Sequence, residues 1–205
     1  MGWLVALSPY LTLDPGQVAV VVAEGSLVDA GAIADHARMF AGTPLARVSM
    51  SQLRRHAEAQ QAVLQATARR SWPAGVTVDI ESRQPVGAVA ADEGFAWVDQ
   101  TGVVVGYFAD AGGHPRIHAP LDQPRVLVAV LDVWDVMPDA LRQQVRHFSA
   151  ETTDSVDSTL TSGQVVRWGG PEQLKLKAAT VSALLENAPY FNFLDVSSPS
   201  LPITR

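Results

Sequence analysis

Residues 72–102 read WPAGVTVDIESRQPVGAVAADEGFAWVDQTG, and their reading decides the fold. Val76, Val78 and Ile80 alternate with Thr77, Asp79 and Glu81. This is the period of a strand with one buried and one wet face. Pro73 and Gly75 break the chain before it and Pro85 stops it soon after, so the strand reads as the last of one domain. Phe95 to Val98 alternate again, turn at Asp99–Gly102 and run on through Val103 to Val105, which predicts a hairpin opening a second domain. The seam is expected near Pro85 to Ala91.

Upstream, Val18 to Val22 is a β-rich run. Asp29 is placed to cap a helix, because its carboxylate accepts from free N–H groups of the first turn, and Ile33, Ala37 and Phe40 then recur at helical spacing. Ser49 and Gln52 form a capping box, with Val48 and Leu53 as its hydrophobic staple, opening a helix expected to reach Gln60. Val63 to Ala68 reads as a strand leading into the Val76 strand. The order strand, helix, helix, strand, strand predicts an α+β layer with two helices on one face of a three-stranded sheet.

Downstream, Asp110 to Pro124 is rich in Gly, Pro and His and reads as a surface loop. Arg125 to Val133 is read as a strand buried on both faces, and Pro138 as the start of a helix carrying Leu141, Val145 and Phe148 inward. Val156–Leu160 and Gln164–Trp168 make a hairpin around Ser162-Gly163. Pro171 starts a helix with the stripe Leu174, Ala178, Val181 and Leu185. Phe191 to Val196 is the expected last strand, followed by a Ser/Pro-rich tail. No internal repeat is evident.

The 205 residues are 47% apolar and 18% charged, a folded rather than disordered composition. A net charge of −6 without a run of Lys and Arg argues against a nucleic-acid partner, since phosphates demand a concentrated basic face. Without cysteine, thiol catalysis, Cys-ligated zinc and disulfides are excluded. The uncharged opening MGWLVALSPYLTL is too short to span a bilayer. It reads either as a buried segment or as the outer end of a membrane helix.

Candidate chemistry is sparse. His114 and His118 have a four-residue spacing, but Pro115 and Pro120 oppose the helix that would aim both imidazoles at one metal. Asp132 and Asp135 flank Trp134 and are read as residues ending the buried strand in water. Gly112-Gly113 and Gly169-Gly170 lack a phosphate-loop lysine and the dinucleotide fingerprint. Nothing assembles a nucleophile, a base and oxyanion donors. The reading is therefore of a binding protein without catalysis or cofactor, whose final strand lies at a sheet edge, either open to a partner strand or shielded by the Ser/Pro tail itself.

The ordered pieces Leu7-Ser-Pro9, Val20-Val-Val-Ala-Glu-Gly25, Gly42-Thr-Pro-Leu45 and Arg70-Ser-Trp-Pro73 are followed by Val78-Asp-Ile-Glu-Ser-Arg-Gln-Pro-Val86 and by Val98-Asp99 with Gly102-Val103. Val166-Arg-Trp-Gly169, Lys175 to Leu185 and Leu194-Asp-Val-Ser197 complete the set. Together they resemble the FtsQ/DivIB family of bacterial cell-division proteins, in its actinobacterial form. The resemblance implies the end of a truncated transmembrane segment at 1–14, a POTRA domain (β-α-α-β-β) at 17–86, a mixed β-domain with flanking helices at 87–197 and a flexible tail at 198–205. It implies a single-pass protein of the cell membrane with both domains outside the cytoplasm at the septum. Its role would be a non-catalytic divisome scaffold binding an FtsB/FtsL-type pair by β-addition at the last strand, through Phe191, Phe193, Asp195, Val196 and Ser197. A POTRA-type module of protein export or membrane assembly is the alternative. Val196-Ser-Ser-Pro199 departs from family members that carry an aromatic and a basic residue there, and Pro199 limits further strand pairing.

Overall fold

The computed structural model describes residues 11–187 and 190–205, in two compact units, 1–84 and 85–205. Residues 1–10 of the expected membrane segment lie outside the described residues. Its remainder, 11–14, is bound into the first unit: Leu13 is buried, its N–H donates to Thr43 O at 2.9 Å, and Leu45 N–H donates to Leu11 O at 2.8 Å. Among the described residues no helix is long and apolar enough to cross a membrane.

The first unit carries β1 (Val18–Val21), α1 (Ala30–Arg38), α2 (Met50–Glu58), β2 (Val63–Ser71) and β3 (Gly75–Ser82). Asp29 Oδ1 accepts from Ala32 N–H at 2.9 Å, and Ser49 Oγ accepts from Gln52 N–H at 3.3 Å. Both helices thus begin where the capping residues place them. The sheet order is β1-β3-β2, with β1 parallel and β2 antiparallel to β3. Val76 and Val78 of β3 join Ile33, Ala37, Leu53 and Ala57 of the helices in one core. Burying each large aliphatic chain contributes about 1.5–3 kcal/mol.

The second unit is a nine-stranded sheet in the order β12-β11-β10-β9-β8-β7-β4-β5-β6. Its strands are β4 (Pro85–Ala90), β5 (Phe95–Asp99), β6 (Val104–Phe108), β7 (Arg116–His118), β8 (Val145–Ser149), β9 (Val156–Leu160), β10 (Val165–Gly169), β11 (Phe193–Asp195) and β12 (Ile203–Thr204). Helices α3 (Pro124–Val136), α4 (Asp139–Arg142) and α5 (Leu174–Asn187) complete it. Residues of α3 and α5 share a core with Val89, Ile117, Phe148, Val166, Trp168 and Leu194 of the sheet.

Several sequence expectations are corrected here. The Pro85 segment is not a break but a strand, with Pro at its first residue, where no ladder donor is lost. Its small residues are a packing demand: a Cβ at Gly87 would come within 2.9 Å of Ile117 Cδ1 and Leu131 Cδ2. The 110–124 stretch is not all surface loop, because β7 lies between parallel β4 and β8 with Ile117 fully buried. Arg125 to Val133 is helical. Pro124 starts α3, and the buried positions 126, 127, 129, 130, 131 and 133 recur at three- and four-residue steps, a helical spacing that a continuous apolar run cannot reveal by itself. Asp132 and Asp135 therefore sit on a helix and end no strand. The Pro138 helix stops at Arg142, and Val145 and Phe148 belong to β8.

Candidate interaction edge at the C-terminal end of the second sheet

The C-terminal corner starts from β10. Its Trp168 is fully buried and donates from Nε1 to Ser158 Oγ at 2.9 Å. Gly169 follows at φ 68°, and a Cβ there would stand 2.8 Å from Ser197 Cβ, so this turn needs glycine. Helix α5 then crosses over and returns the chain as β11, parallel to β10, pairing Val165 with Phe193, Val166 with Leu194 and Arg167 with Asp195. Lys177 of α5 is 1% exposed, and its Nζ donates to Trp168 O and Gly170 O, each at 2.8 Å. Burial pushes its pKa down against the opposing pull of Glu172 and Asp195. The long stem thus pins α5 to the end of β10.

Burial sorts the five residues expected to meet a partner. Phe191 and Val196 are buried in the core beside Leu194. Phe193 and Asp195 are half-buried and Ser197 is exposed; Phe193 and Asp195 lie on the face opposite Leu194. Phe193 lies beneath the Arg167 guanidinium, 5.2 Å from its ring centroid, a cation–π contact worth about 0.5–1 kcal/mol at an open site. Arg167 also forks onto Asp157, with contacts of 3.1 and 3.2 Å. Asp195 Oδ1 accepts from Ser197 Oγ–H at 2.6 Å and from Ser197 N–H at 2.9 Å.

The 198–205 segment, expected to be a flexible tail, folds back. Its β12 pairs antiparallel with β11, Leu194 opposite Thr204 and Asp195 opposite Ile203. Arg205 N–H donates to Phe193 O at 2.9 Å, and Arg205 O accepts from Asn192 N–H at 2.7 Å and Phe193 N–H at 3.0 Å. The edge of the sheet is therefore β12, and β11 is paired on both sides. Sequence reasoning missed this strand because its two residues, just after Pro199 and Pro202, are too few to show a period. Ile203 is 49% exposed and Leu201 is exposed beside it, an apolar rim on the open strand. The two histidines considered for a metal part company: His114 packs on Trp97, while His118 packs on His147 of β8.

Burial raises the Asp195 pKa, but the two Ser197 hydrogen bonds and then the Arg167 and Arg205 charges outweigh it and hold the carboxyl below the ordinary 3.8. A depressed carboxylate contributes stability that is present above its unfolded pKa and lost as pH falls through the folded one. Asp195→Asn is expected to flatten the decline in melting temperature between pH 5 and 3 relative to the native chain. Equal declines in the two proteins would remove Asp195 from the acid response.

Comparison with known proteins places this corner in a lineage. The sequence profile for Cell division protein FtsQ/DivIB, C-terminal, matches residues 88–197. The chain is 30% identical over 144 residues to the cell division protein FtsQ of Streptomyces venezuelae, covering 65% of this chain and 53% of that protein. It is 26% identical over 211 residues to the cell division protein FtsQ of Streptomyces bingchenggensis, with 98% and 78% covered. With the cell division protein FtsQ of Mycobacterium leprae it shares 28% over 214 residues, with 100% and 60% covered. It thus spans from about half to about three quarters of the length of these relatives. The profile reaches from β4 to Ser197 and so takes in the sheet from β4 through β11 with its helices, making this chain a member of the FtsQ/DivIB family of cell division proteins.

Proposed function

We propose that the chain is a non-catalytic scaffold of the division septum, made of a POTRA domain at 17–86 and a β-domain at 87–197. The proposed arrangement is a single-pass protein held by an N-terminal membrane anchor, with both domains outside the cytoplasm. In this reading an FtsB/FtsL-type pair adds a strand at the C-terminal edge of the β-domain. The observation that carries it is the open edge β12 backed by β11, with Phe193, Asp195 and Arg167 beside it on one face. An added strand draws affinity from main-chain hydrogen bonds and specificity from side chains of alternate residues. Phe193, Asp195 and Ser197 are the proposed side-chain contacts, and Phe191 and Val196 hold β11 in place from the core.

The test is titration of the purified chain with a peptide from its FtsB-type partner, read by fluorescence anisotropy. Thr204 stands in the non-hydrogen-bonded pair with Leu194, so its N–H faces the open side; Thr204→Pro removes that donor and is expected to weaken binding about tenfold, as is Phe193→Asp. Met39→Asp, at a position 79% exposed in the first unit, is expected to leave it unchanged. Loss at Met39 equal to that at Thr204 and Phe193 sinks the edge reading.

A further inference from the structure

The opposite end of the same sheet is also an edge, and no described strand pairs with the outer side of β6. We propose that β6 is a second docking edge, which takes an extended peptide carrying an apolar residue next to Lys or Arg.

Four observations converge on this. First, Val105 is an extra residue in the β5–β6 ladder: Val98 pairs with Val104 and Trp97 with Gly106. The bulge leaves Gly106 to Phe108 as the regular segment of the edge. Second, Tyr107 pairs with Ala96, which pairs with Val89, and directly opposite residues share a face. Tyr107 therefore stands on the core face but beyond its cover, 61% exposed. Third, an open cavity of about 720 Å³ lies there, lined by Ala90, Tyr107, Ala119 and Leu121 and rimmed by Asp92 and Glu93. Its size is that of a site for a small ligand or a large side chain. Fourth, the Asp92-Glu93 turn stands at the Phe108 end of β6, since Phe95 pairs with Phe108 and a Cβ on Gly94 would meet Phe108 O at 2.3 Å.

The geometry sets the order of the ligand. A strand added to β6 places the residue opposite Tyr107 on the cavity face, so that residue is apolar. The residues beyond the Phe108 end pass the two exposed carboxylates, so they are basic. Arg116 does not oppose them, because its guanidinium lies over Phe95 on the other face of the sheet. The wider field agrees: residues 85–205 hold eight of the fifteen Lys and Arg and fourteen of the twenty-one Asp and Glu, so the whole net charge of −6 falls in this unit. An acidic unit draws a basic segment and fixes its direction.

The probes are two synthetic peptides, KKTVTLTVT-amide and EETVTLTVT-amide, titrated into the isotope-labelled chain and followed by amide chemical shifts. The lysine peptide is expected to shift amides of residues 92–93 and 104–108, with the glutamate peptide about tenfold weaker at 50 mM salt. The exposed double variant Asp92→Lys, Glu93→Lys is expected to reverse that preference, and Tyr107→Ala to weaken the lysine peptide about fivefold. Thr204→Pro, at the other edge, is expected to change nothing. Equal affinity for both peptides, shifts confined to residues 203–205, or no shift at 1 mM peptide would each overturn the proposal. The C-terminal edge is tested separately, by titration with its FtsB-type partner peptide, and loss of binding at β6 leaves that test standing.

Discussion

Trp168→Ala is expected to lower the stability of the second unit by about 3–5 kcal/mol. With a urea slope of about 2 kcal/mol/M, the unfolding midpoint falls by roughly 2 M. Three losses combine. The indole is fully buried and its removal empties the junction of β10 with α5. Ser158 Oγ, itself fully buried, loses its donor, and an unpaired buried polar group costs about 1–3 kcal/mol. Trp168 also precedes the tight Gly169 turn that sets Ser197 against β10. Trp168→Phe keeps most of the volume and loses only the Nε1 donor, so it is expected to cost about half as much. Because β10 is the strand on which β11 and β12 are built, the alanine variant should also weaken binding at the C-terminal edge. A phenylalanine variant as unstable as the alanine one would show that the hydrogen bond, not the volume, holds this corner.

The elements legible in the sequence were those whose signal is local. Asp29 and Ser49 mark helix starts because the cap needs only residues three positions on. Val76 and Val78 mark β3 because one of its faces is wet, and the turn of 99–102 carries its own chemistry, with Asp99 Oδ1 accepting from Thr101 N–H and Val103 N–H. The elements missed were those that exist through their neighbours. Residues 116–118 form a strand because β4 and β8 flank them. Gly87 has poor strand propensity and is there because Leu131 and Ile117 press on it. The apolar run in α3 fits a buried strand as well as a buried helix, and only the packed sheet decides.

The candidate edge divides in the same way. The order of elements and the family likeness led to a last strand at 191–197, whereas the outermost strand of the sheet is β12. Which of those side chains face outward depended on the register between Leu194 and Val166, and that register is a tertiary fact. The role of Ile203 and Arg205 had no sequence signal, since they follow the Ser/Pro-rich run 197–202 and are too few to show a period. Buried Lys177 was hidden for another reason: it sits between Leu174 and Ala178 in a stripe whose period is apolar, and lysine there reads as a flank of the helix.

Lys177 gives the second large effect. Lys177→Ala leaves Trp168 O and Gly170 O without this donor and opens a cavity along the stem, for an expected loss of about 2–4 kcal/mol. Lys177→Met fills the stem with an apolar chain of similar length and removes a charge that burial disfavours, so its expected loss is about half as large. The two variants separate the ammonium from its stem. The pH response separates them further. The folded pKa of Lys177 is lowered from 10.5, so the unfolded chain holds this proton to higher pH than the folded one. Stability therefore rises as pH climbs from the folded value toward 10.5, and below that window the contribution is constant. Urea midpoints measured from pH 8 to 10 should show this rise in the native chain and not in Lys177→Met. If both proteins show the same slope, the lysine titrates as an exposed group would, and its two hydrogen bonds do not persist in solution. If the slope is present only in the native chain, the crossover from β10 to β11 is held by a buried lysine whose charge opposes burial, and alkali relieves that cost by taking the proton.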